Sequence, residues 1–414
     1  MAMRHVVARA ADGQVTARLV RGGAALIMAL GMTLLLTSCS TTGSSPTRYH
    51  PIQQAKFEIE EEKLLDVGIT VFDPGNVTSK QQEEEGTSTA IRNAESHYIP
   101  YHLKGTLQKT GYWGAVRVVP GEIASVDLLV RGKILESHGE TLQLWIRAVD
   151  ATGRAWLEKS YSQRIDGLAY GGAVSERADP FQGLYNEIAN DLADQLKACS
   201  PGDIEAIRTT SKIRFAAEFS PIPFSGYLER HGDRILVVRL PAEDDAMVER
   251  LMQVRDREYM YVDTLDEYYE GFYQGLWPQY ENWRKFSQTE MEALRKVREQ
   301  AGGRIVGGIA MIAAAIVLEM AGVDKTETLR DVLVLGGGAV VIDGVNVSKG
   351  AAIHKAGIEE LSDSFSADLE TIIVEFEGKR IELTGTAEEQ YREWRELLRR
   401  IHEDETGFGD DTAL

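Results

Sequence analysis

Cysteine is scarce in this chain: two residues in 414, Cys39 and Cys199, with no Cys-x-x-Cys pair. That excludes paired-thiolate zinc sites and a disulfide-stapled scaffold. No His-Glu-x-x-His motif and no Gly-x-Ser-x-Gly turn occurs, so zinc-hydrolase and nucleophile-elbow chemistry have no residues to run on. Apolar runs are short: the one over residues 305–318 has about 14 residues, against the roughly 20 that cross a bilayer. Positive charge is in deficit, with 45 Lys+Arg against 64 Asp+Glu and a net charge of -19. Such a surface disfavours nucleic acid and anionic head groups. Gly336-Gly337-Gly338 follows an apolar run and Lys349 lies downstream, but no glycine-lysine-serine/threonine ending completes a phosphate loop. His97, His102 and Glu95 carry metal-ligating groups. The two histidines are five apart and share a helical face poorly, so a surface loop is the simpler reading. No catalytic, cofactor or metal residue is assigned.

What is present begins at the N-terminus. Arg4, Arg9, Arg18 and Arg21 form a positive leader, residues 24–36 are apolar, and Leu36-Thr37-Ser38-Cys39 closes the run before a Ser/Thr-rich stretch. This ending resembles the lipobox of bacterial lipoproteins. The resemblance implies cleavage before Cys39, diacylglycerol on its thiol and a further acyl chain on its amine, and two or more chains anchor stably. Ser40 stands where members of the family retained at the inner membrane commonly carry aspartate. Its presence implies the outer membrane, with the chain facing the periplasm. The mature chain would carry a charge of about -22, and Cys199 would have no cysteine to pair with.

The expected fold class is α+β. After a signal peptide (1–38) and a lipidated flexible tether (39–63), residues 64–198 read as a sandwich-like α/β domain with a mostly antiparallel sheet. The order is strand, helix, strand, three-strand meander, helix. Pro100 should interrupt or kink the first helix. This order, with the strand phrase Val126-Asp127-Leu128-Leu129-Val130-Arg131-Gly132-Lys133-Ile134, resembles the periplasmic α/β domains of curli-secretion and penicillin-binding-protein-activator lipoproteins. Such domains serve pores, activators and assembly proteins alike. Residues 199–243 read as a connector with short strands. Residues 367–403 read as a β-hairpin and an amphipathic helix capped by Thr386 and Glu389, and 404–414 as an acidic tail.

Two stretches between them are unusual. Residues 244–300 read as helical and crowd Tyr259, Tyr261, Tyr268, Tyr269, Phe272, Tyr273, Trp277, Tyr280, Trp283 and Phe286 together. These rings either pack the region on its neighbours or form a stacking platform for a glycan, with Tyr269 and Trp277 as contacts. Residues 301–366 read as a glycine-rich helical hairpin, with small residues spaced by four and seven. The segment 302–357 either packs as close helices at a subunit interface or enters a membrane. The sequence as a whole points to a non-enzymatic, oligomeric scaffold or assembly partner in the envelope. A pore or transport component, with 302–357 inserted, is the alternative.

Overall fold

Leu65, Val67 and Ile69 are all buried, and their alternation makes a strand of this stretch: β1, Val67–Thr70. The computed structural model describes residues 50–78, 87–121, 126–165, 179–300, 372–376 and 379–407, with positions 356 and 360. The expectations for the leader, Cys39, the glycine-rich segment 302–355 and the tail beyond 407 fall outside the described residues.

The molecule is a mixed α/β protein with a five-stranded mixed sheet. Its strands are β1, β2 (Val116–Val119), β3 (Leu128–Ser137), β4 (Thr141–Asp150) and β5 (Ala155–Arg164), in the order β2-β1-β3-β4-β5. β1 runs parallel to both neighbours, with Val67 opposite Val116 on one side and Leu128 on the other. Only the β3–β4–β5 meander is antiparallel. The antiparallel character expected of the sheet therefore belongs to the meander, and a strand–helix–strand crossover makes the other half parallel.

Helix α1 (Thr89–Thr110) makes that crossover. Ser88 caps it by accepting from the Ile91 amide at 3.2 Å, and Gly111, at φ 67°, ends it in the left-handed region. Pro100 lies inside α1, yet the helix runs through it. A proline has no N–H for the carbonyl four residues back, here Ser96. That carbonyl instead accepts from the Phe72 amide just beyond β1, at 3.0 Å. The proline expected to break the helix thus frees an acceptor that ties the helix to the sheet. Phe72 also lies against Gly132 of β3, where a Cβ would collide with its ring.

Helix α2 (Gln182–Ala198) carries the expected Leu184, Ile188, Leu192 and Leu196. With Ile99, Leu103 and Leu107 of α1 they cover Leu128, Val130, Leu142, Leu144 and Ile146 of the sheet in one core.

The stretch read as a connector holds a 19-residue helix, α3 (Pro201–Phe219). Ser200 and Asp203 make a reciprocal capping box, Pro201 sits in the first turn, and Ile204, Ile207, Phe215 and Phe219 are buried. Thr210 and Ser211 are buried in its middle and mask the apolar pattern, with the Thr210 hydroxyl donating to the Ala206 carbonyl at 2.6 Å. The short strands follow: β6 (Leu228–His231) pairs antiparallel with β7 (Arg234–Val237).

Helix α4 (Ala246–Gln300) has 55 residues, a rod of about 80 Å at 1.5 Å per residue. Buried Leu251, Val254, Val262, Leu265, Tyr269, Leu276, Tyr280 and Trp283 recur at intervals of three, four, seven and eight, the helical period. This one stripe enters all three apolar clusters of the described chain. Among the described residues no helix is long and apolar enough to cross a membrane. The C-terminal hairpin, β8 (Ile372–Phe376) and β9 (Lys379–Leu383), precedes α5 (Ala387–Thr406). The expected capping box is there: the Thr386 hydroxyl accepts from the Glu389 amide at 3.3 Å, and the Glu389 carboxylate from the Thr386 amide at 3.0 Å.

Candidate functional site

The chemistry of the described chain concentrates where α4 meets α1 and the start of α2. Arg284 and Asp179 are both fully buried there, with Arg284 Nη1 at 2.9 and 3.1 Å from the two Asp179 oxygens. Sequence order explains the placement of each. Asp179 precedes α2, and its Oδ1 accepts from the Phe181 amide at 2.8 Å, so its carboxylate faces the first turn of a helix. Arg284 lies one turn beyond Tyr280 on the buried stripe of α4. Its guanidinium sits over the rings of Tyr280 at 4.0 Å, Phe181 at 4.9 Å and Tyr98 at 5.9 Å, an aromatic cage around the cation.

The network extends from this pair. Arg284 Nη2 donates to the Tyr280 hydroxyl at 2.5 Å, and Tyr280 donates to Glu95 Oε1 at 2.5 Å. Ser137, at the end of β3, donates to the same Glu95 oxygen. Tyr98 donates to Asp179 Oδ2 at 3.3 Å. His102 stands between Tyr273, 2.7 Å from Nδ1, and Gln182, 2.9 Å from Nε2. The Gln182 amide nitrogen donates to Asn186, whose own amide donates to the His50 carbonyl at 2.8 Å.

The charges follow from these surroundings. Burial pushes the Asp179 carboxyl up, but the Arg284 charge, with His102 and the Phe181 amide, outweighs it and holds the group below its ordinary value. Burial likewise opposes charge on Arg284, and Asp179 with the tyrosine oxygens keeps it protonated far above the ordinary range. Burial lowers the His102 pKa despite the Asp179 charge, so the imidazole is neutral near pH 7. Tyr98, Tyr185 and Tyr280 are raised well above 10.0, first by burial, and Tyr98 and Tyr280 act as neutral donors.

Beside this network the backbone itself makes contact. Gly139, in the β3–β4 turn, approaches α4 so closely that a Cβ there would overlap the Arg284 carbonyl and the Gln288 amide. Its amide donates to the Ser287 hydroxyl at 3.1 Å. No side chain at 139 can share that space. Further along α4, Arg117 Nε meets Asp263 at 2.5 Å, Lys104 pairs with Asp266, and Arg395 Nε lies 2.6 Å from buried Glu258.

The residues singled out from sequence are dispersed. Cys39 lies outside the described residues. Tyr269 is 1 % exposed and stacks on His97, ring centroids 6.0 Å apart, and Trp277 packs half-buried beside Tyr98 at 6.2 Å. These rings fasten α4 to α1, so a glycan contact would rest on Trp277 rather than on Tyr269. His97, His102 and Glu95 point to three different neighbours, Tyr269, Tyr273 and Tyr280. Among the described residues no three His, Cys, Asp or Glu side chains converge to hold a metal ion. Cys199 is a free thiol at the end of α2, its pKa raised by burial. Asp179 and Arg284 were not singled out from sequence, although an arginine on an apolar helical stripe, aligned with Leu276 and Tyr280, is a signal of a buried partner.

The arrangement fastens helix to sheet and keeps its charges away from solvent. Compared with known protein families, curated proteins and solved structures, the chain shows no significant match.

Two outcomes follow for this network. Arg284→Met leaves Asp179 charged and buried, and should lower unfolding free energy in urea by about 3–5 kcal/mol. The double variant Asp179→Asn/Arg284→Met should lose markedly less, because both members of the pair are then neutral. Equal losses in the two would refute the pairing. His102 gives a pH dependence of definite sign. Its folded pKa lies below the ordinary 6.5, so the unfolded chain takes up the proton first and stability falls as pH drops from about 6.5 through the folded value. His102→Gln should flatten that fall in urea midpoints; an unchanged slope would assign it to other groups.

Proposed function

We propose that this chain is a lipid-anchored envelope lipoprotein that acts as a non-enzymatic scaffold or assembly partner, held at the outer membrane and facing the periplasm. The observation that carries this reading is Leu36-Thr37-Ser38-Cys39 at the end of an apolar leader with four arginines ahead of it. The attachment of the body to its tether supports it. Within the stretch expected to be flexible, residues 50–53 lie along α2. The Gln53 amide donates to Asn190 Oδ1 at 2.8 Å, Asn190 donates to the Pro51 carbonyl at 2.9 Å, and Lys197 donates to Gln53 Oε1. Ten residues separate Cys39 from His50, a reach of at most roughly 40 Å. An anchored body would therefore stay near the bilayer.

A scaffold role is supported by α4, whose single stripe gathers the three apolar clusters and whose polar contacts fasten it to the sheet. The second reading, a pore or transport component, draws on the apolar run 305–318 and on the small-residue spacing after it.

One experiment bears on both. A palmitate analogue fed to cells should label the wild-type chain and leave Cys39→Ala unlabelled and uncleaved. After alkaline carbonate extraction, the wild type should stay with membranes. An unlabelled wild type would refute the lipoprotein reading. Retention of a leader-cleaved Cys39→Ala protein would favour insertion of 302–357.

A further inference from the structure

The β6–β7 hairpin carries an anomaly that neither core nor network accounts for. Ile222, Leu236, Val238 and Leu240 are 59, 45, 49 and 65 % exposed. The last three alternate along one extended segment. Ile235 and Val237 of β7 are half-buried on the opposite face, Val237 against the cluster that holds Phe215, Phe219 and Leu251. The hairpin is held firmly. The Ile235 amide donates to the Thr152 carbonyl at 2.8 Å, the Val238 amide to the Tyr227 carbonyl at 3.0 Å, and Gly153 abuts the Asp233 carbonyl. The segment thus presents Leu236, Val238 and Leu240 as an apolar row of roughly 300 Å², the size of the largest exposed patch on a typical monomer, which is often functional.

The area argues about the occupant. Two copies facing each other through this row would bury about 600 Å² in total, short of the roughly 1,200 Å² of a stable dimer. A bilayer has no such threshold, because a second contact by an anchored chain is intramolecular. The geometry permits it. The ordered chain from His50 to Gln53 lies on α2, about 25 Å long, and Arg154 of the turn that receives the hairpin lies beside Cys199 at the end of that helix. The ten residues back to Cys39 reach farther than α2 is long. Charges around the patch are mixed. Arg230, Arg234 and His231 are exposed, and Arg239 lies over the Tyr227 ring at 4.9 Å. Glu229 stands opposite Leu236, Asp233 is in the turn, and Glu243 and Asp244 follow Pro241.

We propose that Leu236, Val238 and Leu240 form a second membrane contact, seating the β6–β7 hairpin in the interfacial region of the phospholipid bilayer to which Cys39 anchors the chain. The inference deepens the lipoprotein reading and rests on it for the membrane's proximity. Apolar burial drives the contact, with arginine stems lying along the interface. The mixed charges make it insensitive to salt.

Hydrogen exchange of the full chain purified from envelopes tests this, with and without vesicles of phosphatidylethanolamine and phosphatidylglycerol. Amides of 234–240 should exchange about tenfold more slowly with vesicles, equally in low and high salt. Leu236→Ser/Leu240→Ser, folded by circular dichroism, should lose the effect. The mass of the N-terminal peptide reports acylation separately. Vesicle binding through acylated Cys39 with no change at 234–240 would overturn the hairpin contact and leave the lipoprotein reading standing. Protection at 234–240 with no acyl mass on Cys39 would support the contact and overturn that reading. Protection that rises with protein concentration, without vesicles, would overturn the contact in favour of a second copy.

Discussion

The seating of α4 on the sheet is the constraint on which the rest of the structure depends. A 55-residue helix is far longer than any one face of a small sheet, and a free helix of that length would project into solvent. Here the sheet's own turn holds it. Gly139 brings backbone against backbone at Arg284 and Gln288, and Ser287 receives the Gly139 amide. With that contact fixed, Arg284 reaches Asp179 and the Tyr280 hydroxyl reaches Glu95. Each of these partners belongs to a different segment, so the ion pair and its hydrogen bonds join α1, the start of α2, β3 and α4. The buried charges hold because each has a partner and an aromatic wall that excludes water.

The same helix organises what lies beyond the sheet. Its middle covers β2, the edge of the sheet, through Val262, Leu265 and Tyr269 beside Val118 and Val119. An edge strand covered in this way offers no template for pairing with another chain. Its N-terminal third meets α3 and α5 through Leu251 and Val254, with Leu398 of α5 in the same cluster. Glu258, Tyr391 and Arg395 tie that end as Asp179 and Arg284 tie the other. The aromatic crowding in residues 259–286 has its explanation here: rings at helical spacing give one helix enough area to bind two separate apolar clusters at low entropy cost.

Much of the fold was legible in the sequence, and the failures have physical causes. The alternation of Leu128, Val130 and Ile134 and of Leu142, Leu144 and Ile146, the turn at Ser137–Glu140, and the Thr386–Glu389 capping box all act locally and could be read locally. Helix α3 was missed because Thr210 and Ser211 interrupt its apolar face; they are tolerated because Thr210 bonds back to the Ala206 carbonyl and Arg255 of α4 donates to Ser211. Pro100 was misjudged because the donor that satisfies the freed Ser96 carbonyl, the Phe72 amide, comes from the chain just beyond β1. The parallel half of the sheet depends on a crossover that composition does not reveal. Asp179 and Arg284 are 105 residues apart, and no local pattern joins them. The lipobox-like Leu36-Thr37-Ser38-Cys39 is the opposite case, a resemblance complete within four residues, and it carries the functional proposal for that reason.

The central structural claim is that α4 belongs to the folded body and is no detachable arm. Native-state hydrogen exchange of the unmodified protein tests it most directly. Amides of α4 between Leu276 and Gln288 should open with the same free energy and the same denaturant dependence as those of β3 and β4, because one unfolding event releases both. Exchange of that stretch at much lower free energy, with the sheet still protected, would contradict the account.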